Sequence, residues 1–247
     1  MNRQFLNSVT DGSSNVTAYK MNTSFPNLSM SDSFDYSSIG PYHNGALDYF
    51  FQNNDFPMRN RMSKADFISV LMSFKKYSET VGISQVSVDI AIERYINYLE
   101  SNSYFISTPN GVFLDLGKYT NIFLMLSMVN NLGISLKLYN CFDLITNNEV
   151  GNIGDYISNL NSKDFPAGDA VFIAVAKSLY KSSHAYWGNN GGYNPTPTAG
   201  AQRLTWSQSK DLADLMGGLA GCWLGGVGAL LTGYAVSAVF EKNNPVW

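Results

Sequence analysis

The feature that most constrains the fold is a long uncharged region close to the end of this 247-residue chain. Residues 215–240 carry no charged side chain and include the stretch GGLAGCWLGGVGALLTGYAVSAVF at 217–240. As a single helix, these 26 residues would measure about 39 Å, which is longer than the apolar core of a bilayer at about 30 Å. The region is therefore long enough to cross a membrane, and it is also apolar enough to form the core of a soluble protein.

Small residues recur at every fourth position of this region. They are Gly217, Gly221, Gly225, Ala229, Gly233 and Ser237. Positions four apart lie on the same face of a helix, and small residues on that face let two helical backbones approach closely. The pattern predicts a helix-packing surface, which could serve a membrane-embedded helix, another helix of the protein or a second copy of the chain.

The same glycines also weaken a continuous helix. Seven of the 26 residues are glycine, and each costs about 1 kcal/mol of helix propensity relative to alanine. The sequence GGVG at 225–228 is a point where the region can break into two short antiparallel helices. Such a hairpin can be buried inside the protein or can enter one leaflet of a membrane, and the pattern leaves both arrangements open.

Most of the preceding chain has helical periodicity. Residues 1–33 are an exception, because they are rich in Ser, Asn and Thr without a period, which predicts a disordered tail. Ser63 and Asp66 form a capping-box pattern in front of an apolar helical face, and Gly82 is the predicted end of that helix. Comparable patterns predict helices at 41–52, 86–101, 121–131, 135–147, 153–161 and 165–183.

One β-hairpin is predicted near 104–116, because two apolar runs flank ProAsnGly there. Residues 186–204 are rich in Gly, Pro and Asn, which predicts a linker. The fold is therefore predicted to be mainly α, with a multi-helical body at 34–185. After the linker, residues 205–247 are predicted to form a C-terminal glycine-striped helix or helical hairpin.

The charge composition argues against binding to nucleic acid. The net charge is −3 and only 14% of the residues are charged. A nucleic-acid surface needs clustered Lys and Arg, whereas the 16 basic residues here are scattered, with Lys75 and Lys76 as their densest point. The partners left open are a membrane or another helix.

The two cysteines, Cys141 and Cys222, lie in apolar sequence surroundings, where cysteine usually acts as a small hydrophobic residue. They are predicted to be buried free thiols. A single Cys141–Cys222 disulfide is the alternative if the protein is exported. The first residues lack the apolar run of a standard secretory signal. The location is therefore left open between the cytoplasm, a membrane-associated position and export by another route.

His43 and His184 are the only histidines, so a histidine-dependent enzyme would need one of them. His43, Asn44 and Asp48 form a candidate polar site. Asp48 lies about 140° around the helix from His43, so His43 is predicted to hydrogen-bond to a neighbouring element instead. The chain has no residue spacing typical of a metal site or of a cofactor cradle, and neither a metal nor a cofactor is predicted.

Two resemblances follow from these residues. His43, Asn44, Leu47, Asp48 and Tyr49 form a HisAsn-x-x-LeuAspTyr element, and with the glycine-rich C-terminal tract it resembles uncharacterised bacterial all-helical proteins, a resemblance that implies no activity. Residues 209–228, in which Asp211, Leu212 and Leu215 precede the pair Gly217 and Gly218, resemble the leader junction and glycine-zipper body of small membrane-active bacteriocins. In those peptides the leader lies at the N-terminus, so the position here departs from the pattern.

These observations lead to two hypotheses of function from different classes. The first is a non-enzymatic bacterial protein that associates with a membrane, or assembles, through the small residues of its C-terminal segment, with oligomerisation through that segment. The alternative is a soluble helical interaction module whose glycine-rich hairpin is buried in its own core. An enzyme is the third class and would depend on His43.

Overall fold

The computed structural model describes residues 34–54, 61–189 and 206–243, and these ranges are mainly α-helical. The predicted disordered tail at 1–33 lies outside them. The α-helices are α1 (Ile39–Asn53), α2 (Lys64–Thr80), α3 (Gln85–Ser101), α4 (Leu116–Tyr119), α5 (Ile122–Asn131), α6 (Leu136–Thr146), α7 (Ile153–Ser158), α8 (Ala170–Asn189), α9 (Trp206–Gly221) and α10 (Gly225–Asn243). The strands are β1 (Phe105–Thr108) and β2 (Gly111–Leu114). The predicted fold class, mainly α with one small β-hairpin, is confirmed.

Helix α2 shows how local sequence sets an element. Ser63 precedes the helix, and its hydroxyl accepts a hydrogen bond from the Asp66 amide at 3.0 Å. The Asp66 carboxylate in turn accepts one from the Ser63 amide at 3.3 Å, which completes a capping box. At the other end, Gly82 has a φ of +74°, a conformation that glycine adopts without strain. Both predicted ends of this helix are therefore formed by the expected residues.

Ser63→Ala is expected to lower the free energy of unfolding by about 1 kcal/mol, because the Asp66 amide loses its acceptor at the helix start. Ser69→Ala is the matched control on the same helix, since the exposed Ser69 hydroxyl only donates to the Ala65 carbonyl oxygen. Urea denaturation of the two variants is the measurement. An equal loss in both would show that the cap makes no specific contribution.

The β-hairpin lies beside the start of α2. Phe105 pairs with Leu114 and Thr108 pairs with Gly111 in antiparallel register. The Leu114 amide donates to the Met62 carbonyl oxygen at 2.8 Å, so the second strand is tied to the residue just before the α2 cap. The hairpin therefore covers one end of the helical core.

Helices α9 and α10 form an antiparallel hairpin at the centre of the fold, packed against α1, α2, α3, α5 and α8. A short 3₁₀ turn, Cys222–Leu224, separates them, and Gly225 begins α10 with a φ of +81°. The uncharged region thus forms two helices, but it breaks at 222–224, just before the predicted segment 225–228, which is the first turn of α10. Within the described part of the chain, Gln208–Glu241 is the region long and apolar enough to cross a membrane, and 83% of its qualifying window is buried inside the protein.

The boundaries predicted for the linker and the C-terminal segment differ from the structure. Helix α8 continues to Asn189, so residues 186–189 are helical, because Trp187 is buried in the core. The rest of the predicted linker lies outside the described residues. The C-terminal segment also does not stand apart from the body at 34–185, since α9 packs on α8 and α10 packs on α1 in one shared core.

Candidate functional site

In the structure, His43 and Asp48 of the candidate polar site have different hydrogen-bond partners. His43 is completely buried on the inner face of α1, and its Nδ1 is 3.0 Å from Asn44 Oδ1. Asp48, one turn after Asn44 on α1, accepts a hydrogen bond from the Tyr186 hydroxyl at 2.8 Å. His43 therefore belongs to a different group of side chains from Asp48.

The partner of His43 comes from the other end of the chain. Its Nε2 is 3.1 Å from Ser237 Oγ on α10 and 3.7 Å from Asp214 Oδ2 on α9. The Asn44 amide nitrogen donates to the Ser182 carbonyl oxygen at 2.8 Å, which connects the same site to α8. Four helices thus meet around one imidazole.

Asp214 is the centre of this arrangement and is completely buried. Its Oδ2 accepts hydrogen bonds from the Ser183 hydroxyl at 2.5 Å and from Trp187 Nε1 at 2.9 Å. Its Oδ1 is hydrogen-bonded to Ser237 Oγ. We call His43, Ser183, Asp211, Asp214 and Ser237 the buried polar cluster.

Asp211 connects this cluster to the surface. Its Oδ1 is 3.1 Å from Ser183 Oγ, and its Oδ2 is 2.9 Å from His184 Nδ1. The His184 side chain is 63% exposed and stacks on Tyr180 with the ring centroids 5.7 Å apart. One end of the hydrogen-bonded network therefore reaches solvent.

Lys210 forms a second contact between α8, α9 and α10. Its Nζ lies 4.0 Å from the centroid of the Trp187 ring, a cation–π contact. The same ammonium forms an ion pair with Glu241. The charges that precede and follow the uncharged region are thus brought together by the hairpin.

Burial dominates the electrostatics of the buried polar cluster, because removing a charge from water costs free energy. It raises the pKa of Asp214 to about 7 and that of Asp211 to about 6. It lowers the pKa of His43 to about 4. Burial therefore favours the neutral form of all three groups.

The small-residue positions on α9 face α10 of the same chain. A Cβ added to Gly217 would lie 2.9 Å from Val236 Cγ2. A Cβ added to Gly221 would lie 1.8 Å from Thr232 Oγ1 and 2.6 Å from the Gly228 carbonyl oxygen. These glycines allow a backbone separation that any larger residue would prevent.

The remaining small-residue positions lie at the turn and on α10. Gly225 forms the turn, and Gly233 lies opposite Gly218, since a Cβ on Gly233 would be 3.5 Å from the Gly218 Cα. Ala229 is completely buried, and Ser237 takes part in the buried polar cluster. Of the six predicted positions, four thus lie in the packed hairpin, Gly225 forms the turn, and Ser237 forms hydrogen bonds.

His43, Asp214 and Ser237 are residue types that hydrolytic enzymes use. Here they have almost no solvent-exposed surface, so a substrate cannot reach them in this conformation. Across the described residues, no group of three or more His, Cys, Asp or Glu side chains is arranged to hold a metal ion. Cys141 is half-buried and Cys222 is buried, and both are free thiols.

The sequence alone does not show that Asp211 and Asp214 belong to the site. Their positions just before an apolar region are those of ordinary flanking charges. A signal is nevertheless present: the two acids are three residues apart on one helix, so they share a face. The chain matches no protein-family model, no curated protein and no solved structure. Its function therefore has to be argued from its own geometry.

Proposed function

We propose that the protein is a soluble helical interaction module in which the α9–α10 hairpin completes the protein's own core. The observation that carries this proposal is the use of the small-residue face within one chain. Gly217 and Gly221 pack against Thr232 and Val236 of α10. Because the small residues are already covered by a helix of the same chain, they are not exposed to a second copy or to lipid.

The other faces of the hairpin support the same proposal. Large apolar residues of α9 and α10 are completely buried, among them Leu215, Leu219, Leu231 and Val239. They contribute to a core formed with the surrounding helices. In water, burial of such side chains contributes roughly 1.5–3 kcal/mol each, so removing the hairpin would expose the apolar faces of its neighbours.

The surface that would contact a partner is outside the hairpin. Val86 and Ile90 are 70% and 43% exposed and lie one turn apart on α3, and Leu136 at the start of α6 is 72% exposed. Val86 and Ile90 expose neighbouring apolar surface, and adjoining exposed apolar side chains are the kind of surface that another protein contacts. The proposal therefore assigns interaction to the outer helices and stability to the hairpin.

Membrane association is the second candidate, favoured by the length and apolar character of Gln208–Glu241. The hairpin geometry fits it less well. The uncharged part of α10, residues 225–240, is 16 residues long and so about 24 Å, shorter than a bilayer core of about 30 Å. Helix α9 carries Asp211 and Asp214, so spanning would require the turn at 222–224 to straighten into one helix.

Liposome flotation of the full chain, expressed without detergent, separates the two candidates. We expect wild-type protein to be monodisperse and to stay at the bottom of the gradient. Gly221→Leu should lose helical structure by circular dichroism, because the larger side chain separates α9 from α10. Gly188→Leu is the control, since a Cβ there meets nothing within 4 Å, and it should resemble the wild type.

Deletion of 215–240 provides a second comparison. The interaction module should unfold without this part of its core. A membrane anchor should instead leave a folded and more soluble body. Wild-type flotation with vesicles, altered in Gly221→Leu and combined with a folded deletion variant, would overturn the proposal in favour of membrane association.

A further inference from the structure

The hydrogen bonds of the buried polar cluster determine where its protons lie. The starting point is Asn44, whose amide nitrogen donates to the Ser182 carbonyl oxygen at 2.8 Å. This contact orients the amide, so that the Asn44 oxygen faces His43 Nδ1 at 3.0 Å. An amide oxygen only accepts hydrogen bonds, so Nδ1 of His43 carries a hydrogen.

The next two contacts follow from that assignment. A neutral imidazole with its hydrogen on Nδ1 accepts at Nε2, so the Ser237 hydroxyl donates its one hydrogen to His43. The Ser237 oxygen is also hydrogen-bonded to Asp214 Oδ1. Since Ser237 has no second hydrogen to give, the hydrogen in this contact has to come from the carboxyl group of Asp214.

The alternative is an ion pair between imidazolium and carboxylate, a state that the hydrogen bonds of the His43 side chain to Asn44 and to the Gly233 backbone favour. It would place two charges 3.7 Å apart at two completely buried side chains. The desolvation of both charges opposes this state. Burial also raises the pKa of Asp214 to about 7 and lowers that of His43 to about 4. Because the carboxyl group then binds a proton more tightly than the imidazole does, the proton stays on Asp214.

The titratable and charged groups around Asp211 and Asp214 come from four helices. They are His43 on α1, Tyr180, His184 and Tyr186 on α8, Lys210 on α9, and Glu241 on α10. Helix α5, which also packs on α9, contains no titratable residue. Lys210 is the lysine of this set, and its side chain forms an ion pair with Glu241.

We propose that Asp214 is held as a neutral carboxylic acid that donates to Ser237, and that its protonation couples the docking of the α9–α10 hairpin on α1 and α8 to pH. In the protonated state Asp214 donates at Oδ1 and accepts from Ser183 and Trp187 at Oδ2. Because the Ser183 hydroxyl has one hydrogen, its contact with Asp211 Oδ1 then takes its hydrogen from the Asp211 carboxyl group. Loss of the proton leaves a carboxylate in the core and removes one donor from the contact with Ser237. The hairpin is therefore held more tightly in mild acid than at neutral pH.

The sign and the pH range follow from the pKa values. The pKa of Asp214 is about 7 in the folded protein against an ordinary 3.8, so its stabilising contribution is complete below 3.8 and is lost as the pH rises to about 7. Within that range the equilibrium constant of unfolding changes about tenfold per pH unit. His43 acts in the opposite direction, because its pKa falls from 6.5 to about 4, and its contribution is lost on acidification through that range.

Asp214→Asn tests the proposal and isolates Asp214 from His43. An asparagine amide can donate to Ser237 and accept from Ser183 and Trp187, as the neutral acid does, but it does not titrate. We expect the ratio of the unfolding constants, wild type over variant, to fall about fiftyfold between pH 7 and pH 5 in urea denaturation. A ratio for Asp214→Asn that is constant or rises on acidification would overturn the proposal.

A measurement on the wild type decides the question even if the variant does not fold. Nitrogen-15 NMR of histidine-labelled full-length protein at pH 6 reports which ring nitrogens carry hydrogen. His184→Gln assigns the signals, because the chain has only two histidines. We expect His43 to show one N–H, on Nδ1. Hydrogen on both nitrogens of His43 would mean an ion pair with Asp214, and hydrogen on Nε2 alone would remove the acceptor for Ser237; either result would overturn the proposal.

Discussion

Tyr234→Ala is expected to lower the free energy of unfolding by about 3–5 kcal/mol, comparable to the loss of a large aromatic side chain from other protein cores. Tyr234 lies on α10 and is completely buried. Its ring contacts Phe50 and Phe74, with centroids 6.1 Å and 5.4 Å away. Truncation leaves a cavity among three helices, because these aromatic rings belong to separate elements and cannot all move inwards.

Tyr234→Phe is the matched control for this cavity. It keeps the ring and removes only the hydroxyl, which donates to the Val70 carbonyl oxygen on α2 at 3.0 Å. We expect a loss of about 1 kcal/mol for this hydrogen bond. Chemical denaturation of both variants, followed by circular dichroism, measures the difference. Similar losses in the two variants would mean that the hydroxyl, and not the ring, accounts for the contribution of Tyr234.

The part of the fold that could be predicted from the sequence is the part set by residues close together in the chain. The capping box at Ser63 and Asp66 and the positive φ at Gly82 depend on neighbours within a few residues. The β-hairpin depends likewise on a turn between Thr108 and Gly111. Such contacts leave a local pattern that residue type and spacing reveal.

The end of α8 shows how a distant contact overrides a local pattern. TyrTrpGly at 186–188 resembles the start of a loop, and glycine there weakens a helix. In the structure, Trp187 is buried and donates a hydrogen bond to Asp214 on α9. This contact stabilises the last turn of α8, and nothing near Trp187 in the sequence indicates it.

The buried polar cluster could not be predicted for the same reason. His43 and Ser237, which are hydrogen-bonded, are separated by 194 positions. The periodicity correctly places Asp48 away from His43, but it cannot identify which residue of another helix takes its place. Asp211 and Asp214 have the polarity of a surface turn of helix, and only the packing of α9 between α8 and α10 buries them.

The contrast between Gly221 and Gly188 tests whether close approach of α9 and α10 holds the fold together. Gly221→Ala is expected to lower the free energy of unfolding by about 3 kcal/mol, at the upper end of the usual cost of overpacking a core. The added methyl group would lie 1.8 Å from Thr232 Oγ1 and 2.6 Å from the backbone oxygen of Gly228. A side chain can rotate away, but the backbone oxygen moves only if the turn or α10 shifts.

Gly188→Ala makes the same chemical change on α8, where nothing lies within 4 Å of the added Cβ. Its stability should be unchanged or slightly higher, because alanine favours a helix more than glycine does. Gly218→Ala should fall between the two, since its new methyl group meets the flexible Leu179 side chain at 2.1 Å and backbone only at 3.4 Å. Thermal and urea denaturation of the three variants measure this order. Equal stability of Gly221→Ala and Gly188→Ala would show that α9 and α10 can separate without cost, and the small residues would then need a role outside the core.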